Sequence, residues 1–220
     1  NINVSTLYRS MPPNLRNSGQ IDKDPSLTAQ ASNAFHLIRK LQSGELDGAS
    51  LFSPKKLGKF LAISRIWNAT HTFQLNNINF FYDPIVAQLE PIGFDSWCNT
   101  KKESLYCYFS SSDQFVEYSW VNHALSSPEI AYHYIQNLSR ISEEGFLSKL
   151  DESFGDKEVK IRRLLIRDLL GQGIAKIWKN YTSLLKFDPW DMLNTRSQRI
   201  RDELSEAQPI LAYANISSQN

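Results

Sequence analysis

The sequence predicts an α+β domain that is predominantly helical and contains one inserted β-hairpin. Three observations favour this class. Apolar residues recur every three or four positions in most segments, Ser-Pro and Asp-Pro pairs mark helix starts, and one short stretch is rich in aromatic and aliphatic residues around an Asp-Pro turn. The chain has 220 residues, of which 41% are hydrophobic and 21% charged. This is the composition of a globular protein that buries a core.

Two helices are predicted ahead of the hairpin. The first begins at Ser26, where the serine is expected to cap the helix after Pro25, and it ends at Gly44. Its apolar residues line one face: Leu27, Ala31, Ala34, Ile38 and Leu41. The second opens at Ser53-Pro54, with the serine as cap and the proline in the first turn. Each helix is therefore expected to pack through one apolar face.

The hairpin follows the second helix. Its strands are predicted at residues 79–82 and 89–94, with Asp83-Pro84 in the connection. Phe, Tyr, Ile and Leu in these runs suit a pleated, half-buried surface. No clear element is predicted from Asp95 to about residue 126.

Helices fill the rest of the predicted domain. Capping patterns mark three starts: Ser127-Pro128, Ser142-Glu143 and Asp188-Pro189. The strongest helical pattern covers residues 156–186, and Gly171-Gln172-Gly173 is expected to break or kink it. Residues 1–25 are rich in turn formers. The sequence thus predicts an irregular segment at 1–25 and a single domain at 26–210.

Charge argues against nucleic acid as a partner, and hydropathy argues against a membrane-spanning segment. Residues 1–110 carry 11 basic and 8 acidic side chains, and residues 111–220 carry 13 and 15, so neither half is a nucleic-acid-binding polycation. No apolar run approaches about 18 residues, which predicts no membrane span. Cys98 and Cys107 flank a polar segment, and they either form a disulfide in an exported protein or remain two free buried thiols. The oligomeric state stays open.

The hairpin is also expected to place two oxygen-bearing side chains near each other. Asn77 precedes the first strand and Asp95 follows the second. Because a hairpin brings the start of one strand beside the end of the other, we expect the two residues to lie close together. An amide oxygen beside a carboxylate suits Mg²⁺, and kinases hold metal-bound triphosphate with a similar Asn and Asp. The alternative is that Asn77 is a loop residue and Asp95 caps a turn.

The same stretch resembles a known family. The segment LGKFLAISRIWNATHTFQLNNINFFYDPIVAQLEPIGFD, residues 57–95, is similar to the bacterial spore-coat kinase (CotH) family. The shared features come in the same order: a helix, a loop, an Asn before an aromatic strand, an Asp-Pro turn, and a strand that ends in an Asp. The segment FDPWDMLNTRSQRIRDEL resembles the closing helix of that family. The resemblance covers roughly residues 45–205.

The resemblance implies both a fold and an activity. The fold would be that of the C-terminal lobe of an atypical, secreted protein kinase. The activity would be transfer of phosphate from ATP to Ser or Thr of an extracytoplasmic or cell-surface protein, with Mg²⁺ or Mn²⁺ as cofactor. Asn77 and Asp95 would hold the metal and, through it, the ATP phosphates, with Asn76 beside them. The location implied is secreted or in the cell envelope.

Two departures from the family pattern bear on catalysis. The family's catalytic Asp is expected about five residues before Asn77, where this chain has Thr72 beside His71. Either His71 acts as the base in place of the acid, or it is a structural loop residue and the site is weak or inactive. The chain also shows no Gly-rich loop and no nucleotide-binding Lys. Either it is the C-lobe-like part of a longer protein, or the nucleotide lobe has been lost.

Three hypotheses about function follow. The first is an Mg²⁺-dependent, kinase-like phosphotransferase, partial or divergent, that acts on a protein substrate. The second is a pseudokinase, a catalytically inactive module of the same fold that binds a surface partner. The third is that the resemblance is local and the domain is a general binding protein.

Overall fold

The computed structural model describes residue 15 and residues 18–73, 77–93, 119–171 and 188–206. Within these ranges the protein is mostly helical, with one two-stranded antiparallel sheet. The predicted α+β class with a single hairpin is therefore confirmed at this level. The described residues divide into two compact units, one that ends at Leu138 and one that begins at Ser139. The predicted domain boundaries, 1–25 and 26–210, stay a prediction.

The elements follow in chain order. The first unit contains α1 (Ser18–Ile21), α2 (Pro25–Ser43), α3 (Gly48–Leu51), α4 (Pro54–Trp67), a 3₁₀ turn (Thr70–Phe73), β1 (Asn79–Asp83), β2 (Gln88–Ile92), α5 (Ser119–Leu125) and the start of α6 (Pro128–Ser142). The second unit contains the end of α6, α7 (Phe146–Gly171) and α8 (Pro189–Glu206). In the described part of the chain, no helix is both long enough and apolar enough to cross a membrane.

The start of α2 differs from the prediction. Its cap is Asp24, whose Oδ1 accepts hydrogen bonds from the backbone N–H groups of Ser26 and Leu27 at 2.8 and 3.4 Å. Pro25 occupies the first turn, where its missing N–H costs nothing. Ser26 was the wrong cap because the carboxylate two residues earlier already satisfies these donors. The helix ends at Gly44 as predicted, in the left-handed region at φ 79°.

Two further helix boundaries correct the sequence analysis. The segment predicted to be irregular contains the single-turn helix α1. Ser142 ends α6 and does not start the next helix; α7 begins at Phe146, after Gly145 turns the chain at φ 80°. Glycine is the residue that adopts this conformation at no steric cost. The predicted break at Gly171 coincides with the last residue of α7, and Gln172 and Gly173 lie outside the described residues.

The hairpin has the predicted position and a defined register. Its paired residues run from Asn79 opposite Ile92 to Asp83 opposite Gln88. Asp83 Oδ1 accepts a 2.9 Å hydrogen bond from the N–H of Ile85, and this local bond stabilises the turn. Ala87 adopts φ 53° where the chain enters β2. The second strand ends two residues earlier than predicted, and Phe94 lies outside the described residues.

Aromatic rings form the centre of the first unit. Trp120 lies against Phe52, Phe73 and Phe80, and Phe52 lies against Phe80. The ring centroids of these four pairs are 5.4 to 6.2 Å apart in tilted and edge-to-face arrangements, which is the preferred geometry for such pairs. Helices approach closely beside this cluster. A Cβ atom at Gly58 of α4 would lie 2.7 Å from both His133 Cβ and Tyr134 N of α6. Only glycine allows this contact between the two helices.

In the second unit, two side chains of α8 donate hydrogen bonds to the carbonyl oxygen of Ser142. Ser197 Oγ of α8 donates to it at 3.2 Å, and the guanidinium of Arg201 donates to it as well. Both donors satisfy a carbonyl that the end of α6 would otherwise leave unpaired. As predicted, Asp188 caps α8, and its Oδ1 accepts from the N–H groups of Trp190 and Asp191 at 2.9 and 3.2 Å.

Candidate functional site

Of the residues predicted to carry chemistry, His71, Thr72 and Asn77 lie on the chain between α4 and β1. Asn68 ends α4 in the left-handed region at φ 51°, and its N–H reaches the carbonyls of Arg65 and Ser64. The N–H of Ala69 donates to Ser64 O at 2.8 Å. These bonds turn the chain tightly after the helix, so that the 3₁₀ turn with His71 begins three residues after Trp67.

The two residues that follow His71 anchor the turn in the core. Thr72 and Phe73 are both completely buried, at 0% exposure. The carbonyl oxygen of Phe73 accepts a 2.8 Å hydrogen bond from Trp120 Nε1 of α5, also in the interior. The position where the family pattern expects a catalytic acid is therefore occupied by a buried Thr72, whereas the neighbouring His71 is partly exposed.

The structure brings together two of the predicted site residues, His71 and Asn77. Asn77 Nδ2 lies 2.8 Å from His71 Nδ1 and 3.3 Å from His71 Nε2. If the amide nitrogen made an in-plane hydrogen bond to one ring nitrogen, it would lie much farther than this from the other ring nitrogen. The amide nitrogen therefore lies over the face of the imidazole ring. This contact does not use the in-plane direction along which either ring nitrogen exchanges a proton.

A further hydrogen bond fixes the orientation of the Asn77 side chain. Its Nδ2 donates to the backbone oxygen of His71 at 3.2 Å. Because a carbonyl oxygen can only accept, the amide nitrogen faces His71 and Oδ1 points to the other side. Asn79 Nδ2 donates to the carbonyl of Asn77 at 2.6 Å and holds the backbone there. Within the described residues, no hydrogen bond reaches Asn77 Oδ1.

The ligand predicted to accompany Asn77 lies beyond the described residues. Asp95 and Asn76 fall outside them, as do Cys98 and Cys107. The register of the hairpin pairs Asn79 with Ile92. Asn77 is two residues before that pair, and Asp95 is three residues after it. The described strands thus bring the segment preceding β1 and the end of β2 to the same end of the hairpin.

No family model matches the chain, and neither a curated protein nor a solved structure matches it. The similarity to the spore-coat kinase family therefore stays a prediction that depends on the quoted residues.

A metal site depends on oxygen ligands that the described residues supply only in part. In the described ranges, no group of three or more His, Cys, Asp or Glu side chains is placed to hold a metal ion. Asn77 Oδ1 is a hard oxygen of the kind that Mg²⁺ prefers, and its orientation suits such a ligand. It would be one ligand among several, since Mg²⁺ is bound octahedrally and usually by one or two carboxylates plus phosphates.

Two residues that support this site could not be identified from the sequence. Trp120 anchors the turn that contains His71, and Asn79 positions the backbone of Asn77. Trp120 lies in the stretch for which no element was predicted, and its hydrogen bond spans 47 residues. No local pattern signals such a bond. Asn79 has a weak signal, because Asn favours hydrogen bonds to nearby backbone groups.

Proposed function

We propose that this domain is a divergent, kinase-like phosphotransferase whose site lies at the end of the hairpin where β1 begins and β2 ends. The observation that carries the proposal is the orientation of Asn77. Its nitrogen is engaged by His71, so its oxygen is directed away from the turn. Asn77 and Asp95 would hold Mg²⁺ or Mn²⁺ with the ATP phosphates. When bound, the metal would offset the negative charge of the triphosphate.

His71 is the candidate base in this proposal. The hydroxyl oxygen of a Ser or Thr side chain forms a bond to the γ-phosphorus of ATP, the bond from that phosphorus to ADP breaks, and the hydroxyl proton passes to the imidazole. His71 is partly exposed and lies against the proposed metal ligand. Thr72, which occupies the position expected for the acid, is fully buried and would support the turn by packing.

A second candidate function has an observation of its own. Thr72, which stands where the family pattern expects the catalytic Asp, is buried. Residues 67–73 contain no Asp or Glu that could replace that acid. A protein without that acid can keep the hairpin as a scaffold and bind a partner without turnover. The alternative is thus a catalytically inactive module of the cell surface or envelope. The first candidate transfers phosphate and this one does not, whereas both are able to bind a metal–nucleotide complex.

Phosphate transfer separates the two candidates. The full-length chain is incubated with Mg²⁺ and ATP labelled at the γ-phosphate, with casein as a generic acceptor and with autophosphorylation as the second readout. The phosphotransferase incorporates label, and His71→Ala lowers the rate about 10²- to 10⁴-fold, the usual contribution of a general base. Label incorporation that is unchanged in His71→Ala removes the assigned base.

A matched control distinguishes chemistry from stability. Asn137 Nδ2 donates to His133 O at 2.7 Å, a bond of the same type as that between Asn77 and His71, but located on α6. Asn77→Ala is expected to abolish transfer, while Asn137→Ala retains it. Nucleotide binding without any transfer would identify the inactive module. Absence of both binding and transfer would overturn the phosphotransferase and leave the inactive binding module.

A further inference from the structure

The tip of the hairpin exposes apolar side chains where turns usually carry polar ones. Ile85 is 92% exposed and Val86 is 55% exposed. Phe81, two residues before the end of β1, is 54% exposed. We call these three residues the apolar tip. Neighbouring residues provide the turn geometry, through the Asp83 hydrogen bond to the N–H of Ile85 and the positive φ of Ala87. The turn therefore does not require aliphatic side chains at its apex.

The apolar tip points away from the core. Phe80 packs against Phe52 and Trp120, so the inner face of β1 carries Phe80. Side chains alternate along a strand, which places Phe81 on the outer face. Its cross-strand partner on that face is Glu90. All three side chains of the tip are therefore open to solvent.

Its size argues against a stable protein interface. Such interfaces involve roughly 20–30 residues from each partner, and the tip offers three. Association with a lipid surface does not require so many contact residues. Membrane association of a surface element depends on the buried apolar area together with attraction to anionic headgroups.

Basic side chains lie beside the hairpin. Lys55, Lys56 and Lys59 are all exposed on the first turns of α4. Residues three and four apart share a helix face, so Lys59 lies beside both Lys55 and Lys56. Lys56 forms an ion pair with Glu90 of β2, which places this lysine face next to the strand. Glu90 offsets the charge of Lys56, whereas the charges of Lys55 and Lys59 on the same helical turns are complementary to anionic lipid headgroups.

We infer that the apolar tip inserts into the surface of a membrane that contains anionic lipids, with Lys55 and Lys59 contacting the headgroups. The domain would then associate with a membrane peripherally, through the hairpin and without a spanning helix. This inference is independent of phosphotransfer, because it uses the opposite end of the hairpin from Asn77.

Vesicle sedimentation tests the inference. The full-length chain is mixed with vesicles of phosphatidylcholine, or of phosphatidylcholine with phosphatidylglycerol, and bound protein is measured in the pellet. We expect binding to the anionic vesicles. The double variant Ile85→Ser/Val86→Ser should weaken it by at least about tenfold, given the transfer free energy of a buried aliphatic side chain. Lys55→Gln/Lys59→Gln should also weaken binding to the anionic vesicles. The binding that remains should depend less on salt concentration than that of the wild type.

Controls make the outcome decisive. Ile161→Ser removes an apolar side chain that is 57% exposed on α7, and it should bind vesicles as the wild type does. Ile85→Trp should bind more tightly, since indole partitions into the membrane interface. The inference is overturned if the wild type does not sediment with anionic vesicles, or if Ile85→Ser/Val86→Ser sediments equally well. A wild-type dimer that becomes monomeric in the double variant would assign the tip to a second copy of the chain instead.

Discussion

Trp120 Nε1 donates a hydrogen bond of 2.8 Å to the carbonyl oxygen of Phe73, and both residues are buried. The bond joins α5 to the turn that contains His71. It spans 47 residues in sequence and fixes the last residue of that turn. The position of His71, and therefore its contact with Asn77, depends on a helix that comes after the hairpin.

Replacing Trp120 with Phe tests this dependence. The change keeps an aromatic ring in the cluster but removes the indole N–H that donates to the buried carbonyl of Phe73. Loss of one such hydrogen bond costs about 0.5–1.5 kcal/mol, and the smaller ring adds a cavity. We expect the free energy of unfolding in urea to fall by at least about 1 kcal/mol. An unchanged value would mean that the hydrogen bond contributes nothing to the fold.

Gly58 tests the close approach of α4 and α6. In Gly58→Ala, the new Cβ would lie 2.7 Å from the backbone nitrogen of Tyr134, so the helices must move apart. Overpacking of this kind costs about 1–3 kcal/mol. Gly155 on α7 is the matched control, because the group nearest to its new Cβ is the Asp151 side chain, which can rotate. Gly155→Ala is expected to stabilise by about 0.5–1 kcal/mol. Thermal unfolding of both variants reports the difference, and equal effects would contradict the helix contact.

The cap of α2 provides a test in which sequence and structure disagree. The structure assigns the cap to Asp24, so Asp24→Ala should lower stability by about 1 kcal/mol. Ser26→Ala should be nearly neutral, since the Ser26 side chain makes only an exposed 3.4 Å contact with Gln30. Chemical unfolding of the two variants decides between the assignments. A larger loss in Ser26→Ala would restore the cap predicted from the sequence.

Local signals explain which parts of the fold the sequence predicts. Pro54 and Pro189 mark the starts of α4 and α8, and Gly44 marks the end of α2, because each effect acts within one helical turn. The hairpin is predicted because its strands and turn are contiguous in the chain. By contrast, α5 has only seven residues and no clear period. It is held by aromatic packing and by a long-range hydrogen bond, and neither leaves a local pattern.

In the candidate site too, the features set by local sequence are predicted and those set by long-range packing are not. The sequence predicts that Asn77 begins the hairpin, and its resemblance to a family assigns that residue a role. The contact of Asn77 with His71 could not be predicted, because it depends on how the chain turns after Asn68. The burial of Thr72 could not be predicted either, since it depends on packing within the core.

Nucleotide binding tests the proposed metal site without requiring turnover. The melting temperature of the full-length chain is measured with increasing ATP and Mg²⁺, for the wild type and for Asn77→Ala, Asp95→Ala and Asn137→Ala. Each shift is taken relative to the same variant without ligand, which separates binding from altered stability.

A ligand that binds only the folded state at a hundredfold excess over its Kd stabilises by about 2.7 kcal/mol. At about 2–4 °C per kcal/mol for a chain of this size, we expect a clear metal-dependent rise in melting temperature in the wild type and in Asn137→Ala. We expect no rise in Asn77→Ala or Asp95→Ala. No rise in the wild type, or an equal rise in all four proteins, would contradict a metal–nucleotide site at this end of the hairpin.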